Sequence, residues 1–503
     1  MEEHSILELQ KKMEIGLLDA RTLVAYYLER IEKIDRRGPR LNAIIELNPE
    51  AMDIAAELDK ERHKTGPRGK LHGVPVMLKD NIDTADKMTT TAGSLALEGS
   101  IATEDAFIAN KLRQAGAIIL GKTNLSEWAN FRSPHSSSGW SSRGGQTRNP
   151  YILDRNPCGS SSGSAVAVAA SLCAAAVGTE TDGSIICPSQ ANGIVGIKPT
   201  VGLASRRGII PISSSQDSAG PMGRSVSDAA VVLGALTGID PRDPATKRSE
   251  GHIHADYVPF LDKGGLQGAR IGIARNYFDF DRRVDAIIER CIEIMREQGA
   301  VIVDPADIQT KEDIGEHEYE VLLYEFKNDL NDYLSRLDPE FPVHSLKDVI
   351  DFNERERERV MPFFGQERMV AAEDKGTLKD HDYQEALKLS RLLAGREGID
   401  AVMAEHQLDA IVAPSGGPAW MTDLVNGDHH SGSSSRPAAA AGYPNITVPA
   451  GFIHGLPVGL SFFAGAFQEP VLIKLAYAFE QVSKIRRPPE FLPTIDLRNP
   501  KKS

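Results

Sequence analysis

The chain has 503 residues, 41% hydrophobic and 25% charged, a composition suited to a globular protein with a large buried core. A formal net charge of -13 and a pI near 5.6 exclude the Lys/Arg-rich surface on which nucleic-acid affinity depends. Four cysteines (Cys158, Cys173, Cys187 and Cys291), with no C-x-x-C and no close Cys/His spacing, argue against a disulfide framework or a zinc site and fit a reducing compartment.

The N-terminus lacks the basic region and apolar run of a signal peptide, and no stretch of about 18 apolar residues occurs, so a cytoplasmic protein is expected. Residues 5–35 read as helical: Leu23, Val24, Tyr27, Leu28, Ile31 and Ile34 keep one face apolar until Gly38-Pro39 ends the run. Short apolar runs at 73–78, 117–120, 174–177, 193–198, 269–274, 300–303, 408–413 and 456–463 read as buried strands. Between them, helices are expected near 105–115, 164–173, 226–236, 284–298, 318–336, 383–405 and 470–483, with Ser225 and Asp228 as a capping pair for the third. Alternation of this kind predicts an α/β fold with its sheet covered on both faces. The more charged stretches 240–260 and 337–381 are expected to form a helical insertion at the sheet edge, and 426–437 a mobile surface loop.

Two motifs match by letter and fail on physics. Gly116 to Thr123, "GAIILGKT", fits the P-loop pattern, but a phosphate cradle needs open backbone N–H groups and these residues are themselves a strand. Gly159 to Gly163, "GSSSG", would make Ser161 the nucleophile of an α/β-hydrolase, yet two Asn-Pro pairs precede it where that elbow needs a strand. His406, His429, His430 and His454 are then surface or core histidines without catalytic duty.

A different constellation survives. Lys79 ends an apolar strand, where burial would lower its pKa and leave a neutral amine as a base. Ser160, Ser161, Ser162 and Ser164 precede an Ala/Val-rich helix, and "GTETDGSI" (178–185) places Gly183 before Ser184 in a turn able to aim N–H groups at one point. Serine with lysine is a known replacement for the Ser-His-Asp arrangement.

In these motifs, and in "NGIVGIKPTVGLASRRGIIPIS" and "DSAGPMGRSVSDAA", the sequence resembles the amidase signature family from the N-terminal helix to about residue 486. The resemblance implies a single large mixed β-sheet sandwiched between α-helices. One domain would span 1–503, with an N-terminal helical segment at about 5–60 and a helical insertion at about 240–400. It implies Lys79 as base, Ser160 as a bridging serine after a cis peptide bond, and Ser184 as nucleophile. The N–H groups of Thr181, Asp182, Gly183 and Ser184 would form the oxyanion hole. Ser161, Ser162 and Ser164 would satisfy the turn and cap the following helix. The implied reaction is covalent amide hydrolysis without metal or cofactor.

Within the family the chain is most similar to peptide amidases, through "KTNLSEWANF", "GGQTRNPY", "CGSSSGS", "LLYEFK" and "AGYPNITVPAG". Ile186 stands where many members carry Arg, so that position offers no cation to an acidic substrate. Cys158 and Ser162 replace family glycines, which demands a turn without positive φ there, and Cys158 reads as packing. Ala129, Asn130 and Phe131 would line the acyl side of the pocket, with Trp420 as a wall. The expected partner is a small or short peptide amide, with neither nucleic acid nor membrane, acted on by a monomer or weak homodimer. The alternatives are the glutamine-hydrolysing component of a tRNA-dependent amidotransferase, an aryl or fatty-acid amide hydrolase, and a non-catalytic scaffold, against which the joint presence of Lys79, Ser160 and Ser184 speaks.

Overall fold

The computed structural model describes residues 3–495. Its frame is a mixed sheet of 11 strands: β1 (Ile44–Leu47), β2 (Pro75–Lys79), β3 (Ile118–Thr123), β4 (Ala175–Glu180), β5 (Val195–Lys198), β6 (Ser218–Gly223), β7 (Arg270–Ile273), β8 (Val301–Val303), β9 (Ala410–Pro414), β10 (Asn445–Ile453) and β11 (Leu456–Phe463). The spatial order is β1-β3-β2-β4-β6-β5-β10-β11-β9-β7-β8. Strands β2, β3 and β4 run parallel, β6 pairs antiparallel with both β4 and β5, and β10 and β11 form an antiparallel pair in the middle. The 16 α-helices among the described residues sandwich this sheet. No helix among those residues is long and apolar enough to cross a membrane.

All eight expected strands form, but β1, β6 and β10 lie where no strand was expected. Strand β6 reads "SAGPMG", a sequence of small residues, glycine and Pro221 that carries no β signal. Its glycines are used for close approach: a Cβ on Gly220 would collide with the Ile197 carbonyl oxygen. Strand β10 is disguised by Pro449, next to which its register against β11 shifts.

The expected helical run over 5–35 divides into Ile6–Glu14 and Ala20–Arg30, because Gly16 takes a φ of +72° and Asp19 caps the second helix by accepting from Thr22 N–H. Ser225 Oγ accepts from Asp228 N–H as expected, while the Asp228 carboxylate reaches back to Ile6 N–H at 2.7 Å and fastens the N-terminal helix to the body.

In the charged stretch 337–381, helices Leu346–Arg355, Arg357–Val360 and Glu367–Glu373 form; in 240–260 there are two short 3-10 turns instead. The helical segment is held through Arg132, whose guanidinium meets Glu127 at 2.5 Å with both side chains fully buried. Arg132 also donates to the carbonyls of Val360, Phe364 and Gly365 and stacks on the Phe364 ring at 4.1 Å. Replacing it strands a buried carboxylate. Arg132→Ala is therefore expected to lower unfolding free energy by about 3–5 kcal/mol, measured by urea denaturation against the parent chain.

Candidate active site

Strand β2 ends on Lys79, which is fully buried between β3 and β4. Its Nζ lies 2.7 Å from Ser160 Oγ, 2.9 Å from Thr179 Oγ1 and 3.2 Å from the Thr179 carbonyl oxygen. None of these partners is charged. Burial pushes the Lys79 pKa down to about 7, against smaller upward pulls from Asp217 and Glu180.

Two loops meet above this lysine. The first carries the cis Gly159–Ser160 bond, and the second follows β4 through Thr181, Asp182, Gly183 and Ser184. Ser161 N–H donates to the Ser184 carbonyl at 3.1 Å, which couples the loops. Gly183 has a φ of +76°, a left-handed conformation open to glycine. Among the described residues no protein acceptor takes the N–H of Asp182, Gly183 or Ser184, so three donors sit together in a concave turn. The turn is held from below: Glu180 accepts from the N–H groups of Ile185 and Ile186 at 2.6 and 2.9 Å. It is also held from the side, where Thr181 Oγ1 donates to Asp217 and Ser435 Oγ to Asp182, each at 2.5 Å.

The serine cluster is fully engaged, although not by capping. Ser161 Oγ donates to the Thr179 carbonyl at 3.0 Å and accepts from its N–H at 3.2 Å, so it is tied to β4 and is no elbow nucleophile. Ser162 Oγ donates to the Cys158 carbonyl, and Ser164 Oγ meets Thr123 Oγ1 at 2.7 Å. The expectation that these hydroxyls cap the helix Ser162–Ala169 is corrected: its N-cap, Ser161, makes no side-chain capping bond. Lys122 of the refused P-loop match is likewise occupied, donating to Ile82 O, Thr89 O and Thr90 Oγ1.

Cys158 corrects two expectations. It adopts a φ of +57° although glycine is absent, and it is joined to Cys187 in a disulfide with Cα atoms 6.0 Å apart. The bond links the residue before Gly159 to the helix that follows Ser184, a proximity the sequence separation of 29 conceals. Cys173 and Cys291 are free and buried.

Above the loops opens a cleft of about 570 Å³, lined by Gly159, Asp182, Gly183, Cys158, Cys187, Asn130, Trp420 and His430 among others. Gly183 lines the cleft and Ser184, the next residue, keeps 8% of its surface exposed, whereas Ser160 is fully buried. Asn130 and Trp420 thus reach the cleft. Ala129 borders a small cavity beside Thr179 and Thr181, and Phe131 turns away to pack on Phe326 at 4.9 Å. The pocket expectation for Phe131 is therefore corrected, because Trp128, Ala129 and Asn130 all take positive φ and the chain turns the next ring inward. Asn130 Oδ1 is buried without a partner.

The loop 426–437, expected to be a mobile surface loop, is anchored. Asp428 accepts from Ser138 N–H at 3.0 Å and Trp420 Nε1–H at 3.1 Å, which seats both Trp420 and the loop at the cleft. Thr179, Asp428 and the disulfide are the site features that sequence reading missed. None had a local signal: alternation in β4 puts Thr179 on the face of Val177, the register partner of Leu78, and its contact with Lys79 is made just past the end of that pairing.

Fold and site define an amide-bond hydrolase. The Amidase family model matches residues 22–473, and the chain belongs to that family. It is 52% identical to the native peptide amidase of Stenotrophomonas maltophilia, whose crystal structure superposes with a TM-score of 0.93 over 97% of this chain and 99% of that one. It is 43% identical over 504 residues to a probable amidase of Arabidopsis thaliana, covering 98% of this chain and 92% of the relative. One component of the glutamyl-tRNA(Gln) amidotransferase of Halorhodospira halophila is 34% identical, with 96% and 98% covered.

Thr179→Val removes one of three hydrogen bonds to Lys79. It is expected to lower kcat/KM by roughly 10- to 100-fold, the kinetic equivalent of about 1.5–3 kcal/mol, with KM little changed in steady-state assays.

Proposed function

We propose that the chain hydrolyses the C-terminal amide of peptides, or similar carboxamides, to the acid and ammonia through an acyl-enzyme on Ser184. The observation that carries this reading is the buried Lys79 amine in contact with Ser160, whose neighbour Ser161 is bonded to the Ser184 carbonyl.

A neutral amine has two N–H donors and one lone pair. The Thr179 hydroxyl and carbonyl oxygens accept the two N–H groups, which leaves the lone pair for Ser160. Ser160 therefore donates its hydroxyl proton to Lys79 and can accept the proton of Ser184 in the same movement. Ser184 attacks the amide carbonyl, and the unpaired N–H groups of Asp182, Gly183 and Ser184, with Thr181 beside them, hold the oxyanion. The relay returns a proton to the departing nitrogen, ammonia leaves, and water repeats the sequence on the ester to release the acid. No step requires a metal or cofactor.

The cleft supports a substrate of small-peptide size, within the usual range of about 300–1,000 Å³ for small-molecule sites. Asn130 lines the cleft, and Trp420 offers a rigid apolar wall. The peptide amidase likeness favours a peptide amide, and the buried Ile186 offers no cation at that position.

The purified chain is expected to release ammonia from C-terminal peptide amides without any partner, and Ser184→Ala to lower that rate by about 10⁴-fold or more. Glutamine turnover appearing only with added partner proteins would replace this reading with the amidotransferase one. Because Lys79 acts as the neutral base, kcat/KM should rise with pH through about 7 and level off above it. A profile that falls across that window would remove Lys79 from the role.

A further inference from the structure

Cys158 and Cys187 border the same cleft as His430, on a wall that the hydrolytic steps do not use. The two sulfurs and a ring nitrogen of His430 lie within 4.8 Å of one another. Tetrahedral zinc, with bonds of about 2.0–2.3 Å, holds its donors about 3.5–4 Å apart, so a small opening of the two sulfurs is enough to seat an ion. Two thiolates and an imidazole are a soft donor set that selects zinc over magnesium or calcium. Three protein ligands also leave a fourth position open.

We propose that Cys158, Cys187 and His430, once the disulfide is reduced, form a zinc-binding site in the wall of the cleft, and that zinc held there stops hydrolysis. A dithiol supplies two electrons and two protons to the disulfide and itself becomes a disulfide; zinc then displaces the two thiol protons.

Each ligand is held by structure independent of the bond between the sulfurs. Cys187 N–H donates to the Gly183 carbonyl at 2.8 Å, in the first turn of the helix after Ser184. Cys158 N–H donates to Asn156 Oδ1 at 2.8 Å. The edge of His430 meets the Trp420 ring at 5.5 Å, and Trp420 is fixed through Asp428. Cys158 is one residue from Gly159 and Cys187 three from Ser184, so an ion between them occupies space that substrate needs above the nucleophile. The linear spacing hides the set, because the three ligands come from three separate segments.

The inhibition rests on the proposed amidase activity, but metal binding does not, so the experiment reads both. The full chain, oxidised or reduced by a dithiol and then desalted anaerobically, is dialysed against zinc and, separately, titrated with cobalt. The reduced chain is expected to bind one zinc per molecule and show thiolate-to-cobalt charge-transfer absorption. Zinc should lower its ammonia release at least roughly tenfold, reversibly with EDTA. The oxidised chain should do none of these. His430→Asn, which leaves both cysteines in place, should weaken zinc binding by at least about 10-fold, and Cys187→Ser should abolish the cobalt absorption, each variant compared with its own metal-free activity. Equal binding by oxidised and reduced chains, equal binding by either variant, or no binding by the reduced chain overturns the site. Binding at the site with full activity retained overturns the inhibition.

Discussion

Everything at the candidate site depends on burying one lysine among neutral partners. A charged ammonium taken out of water loses hydration that only a close carboxylate could replace, and Lys79 instead meets two hydroxyls and a carbonyl. The neutral amine is the form this environment favours, and it carries a lone pair able to accept a proton. Lys122 and Lys198 are as deeply buried and are also pushed down in pKa, Lys198 to about 8. Their amines donate to backbone carbonyls or to Thr90, and neither meets a serine of the cluster at 160–164. Contact with Ser160 sets Lys79 apart.

The sheet creates that contact by adjacency. Parallel pairing of β2 with β4 sets Leu78 opposite Val177, and just past that pairing the Lys79 amine reaches Thr179 and Ser160. Strand β6 closes the other side of β4, and a carbonyl oxygen of β5 lies so near Gly220 that no side chain fits there. Glu180 then serves the loop rather than the reaction: its buried carboxylate fixes the N–H groups just past Ser184 and keeps the preceding donors turned inward.

Long-range ties shape the cleft above. The Arg132–Glu127 pair joins the helical segment 346–373 to the left-handed turn at Trp128–Asn130, and the Asp428 cluster seats Trp420. The disulfide crosses between the two loops that flank the serines. The walls of the cleft are therefore built from segments outside the sheet, whereas the place of Lys79 is set by the sheet itself.

Sequence alone determined the α/β class, the buried strands with strong apolar runs, and the order of lysine, serine cluster and Gly-Ser turn. Each of these is local: apolar periodicity, glycine before a turn and a cation ending a strand are visible within a few residues. Strands β6 and β10 escaped because proline and glycine remove the local signal while sheet neighbours supply the pairing. The Cys158–Cys187 bond, the Thr179 contact to Lys79, the inward turn of Phe131 and the anchoring of Asp428 were decided by tertiary structure. In each of these the partners are far apart in the chain, and only the packed sheet and its loops set the distance between them.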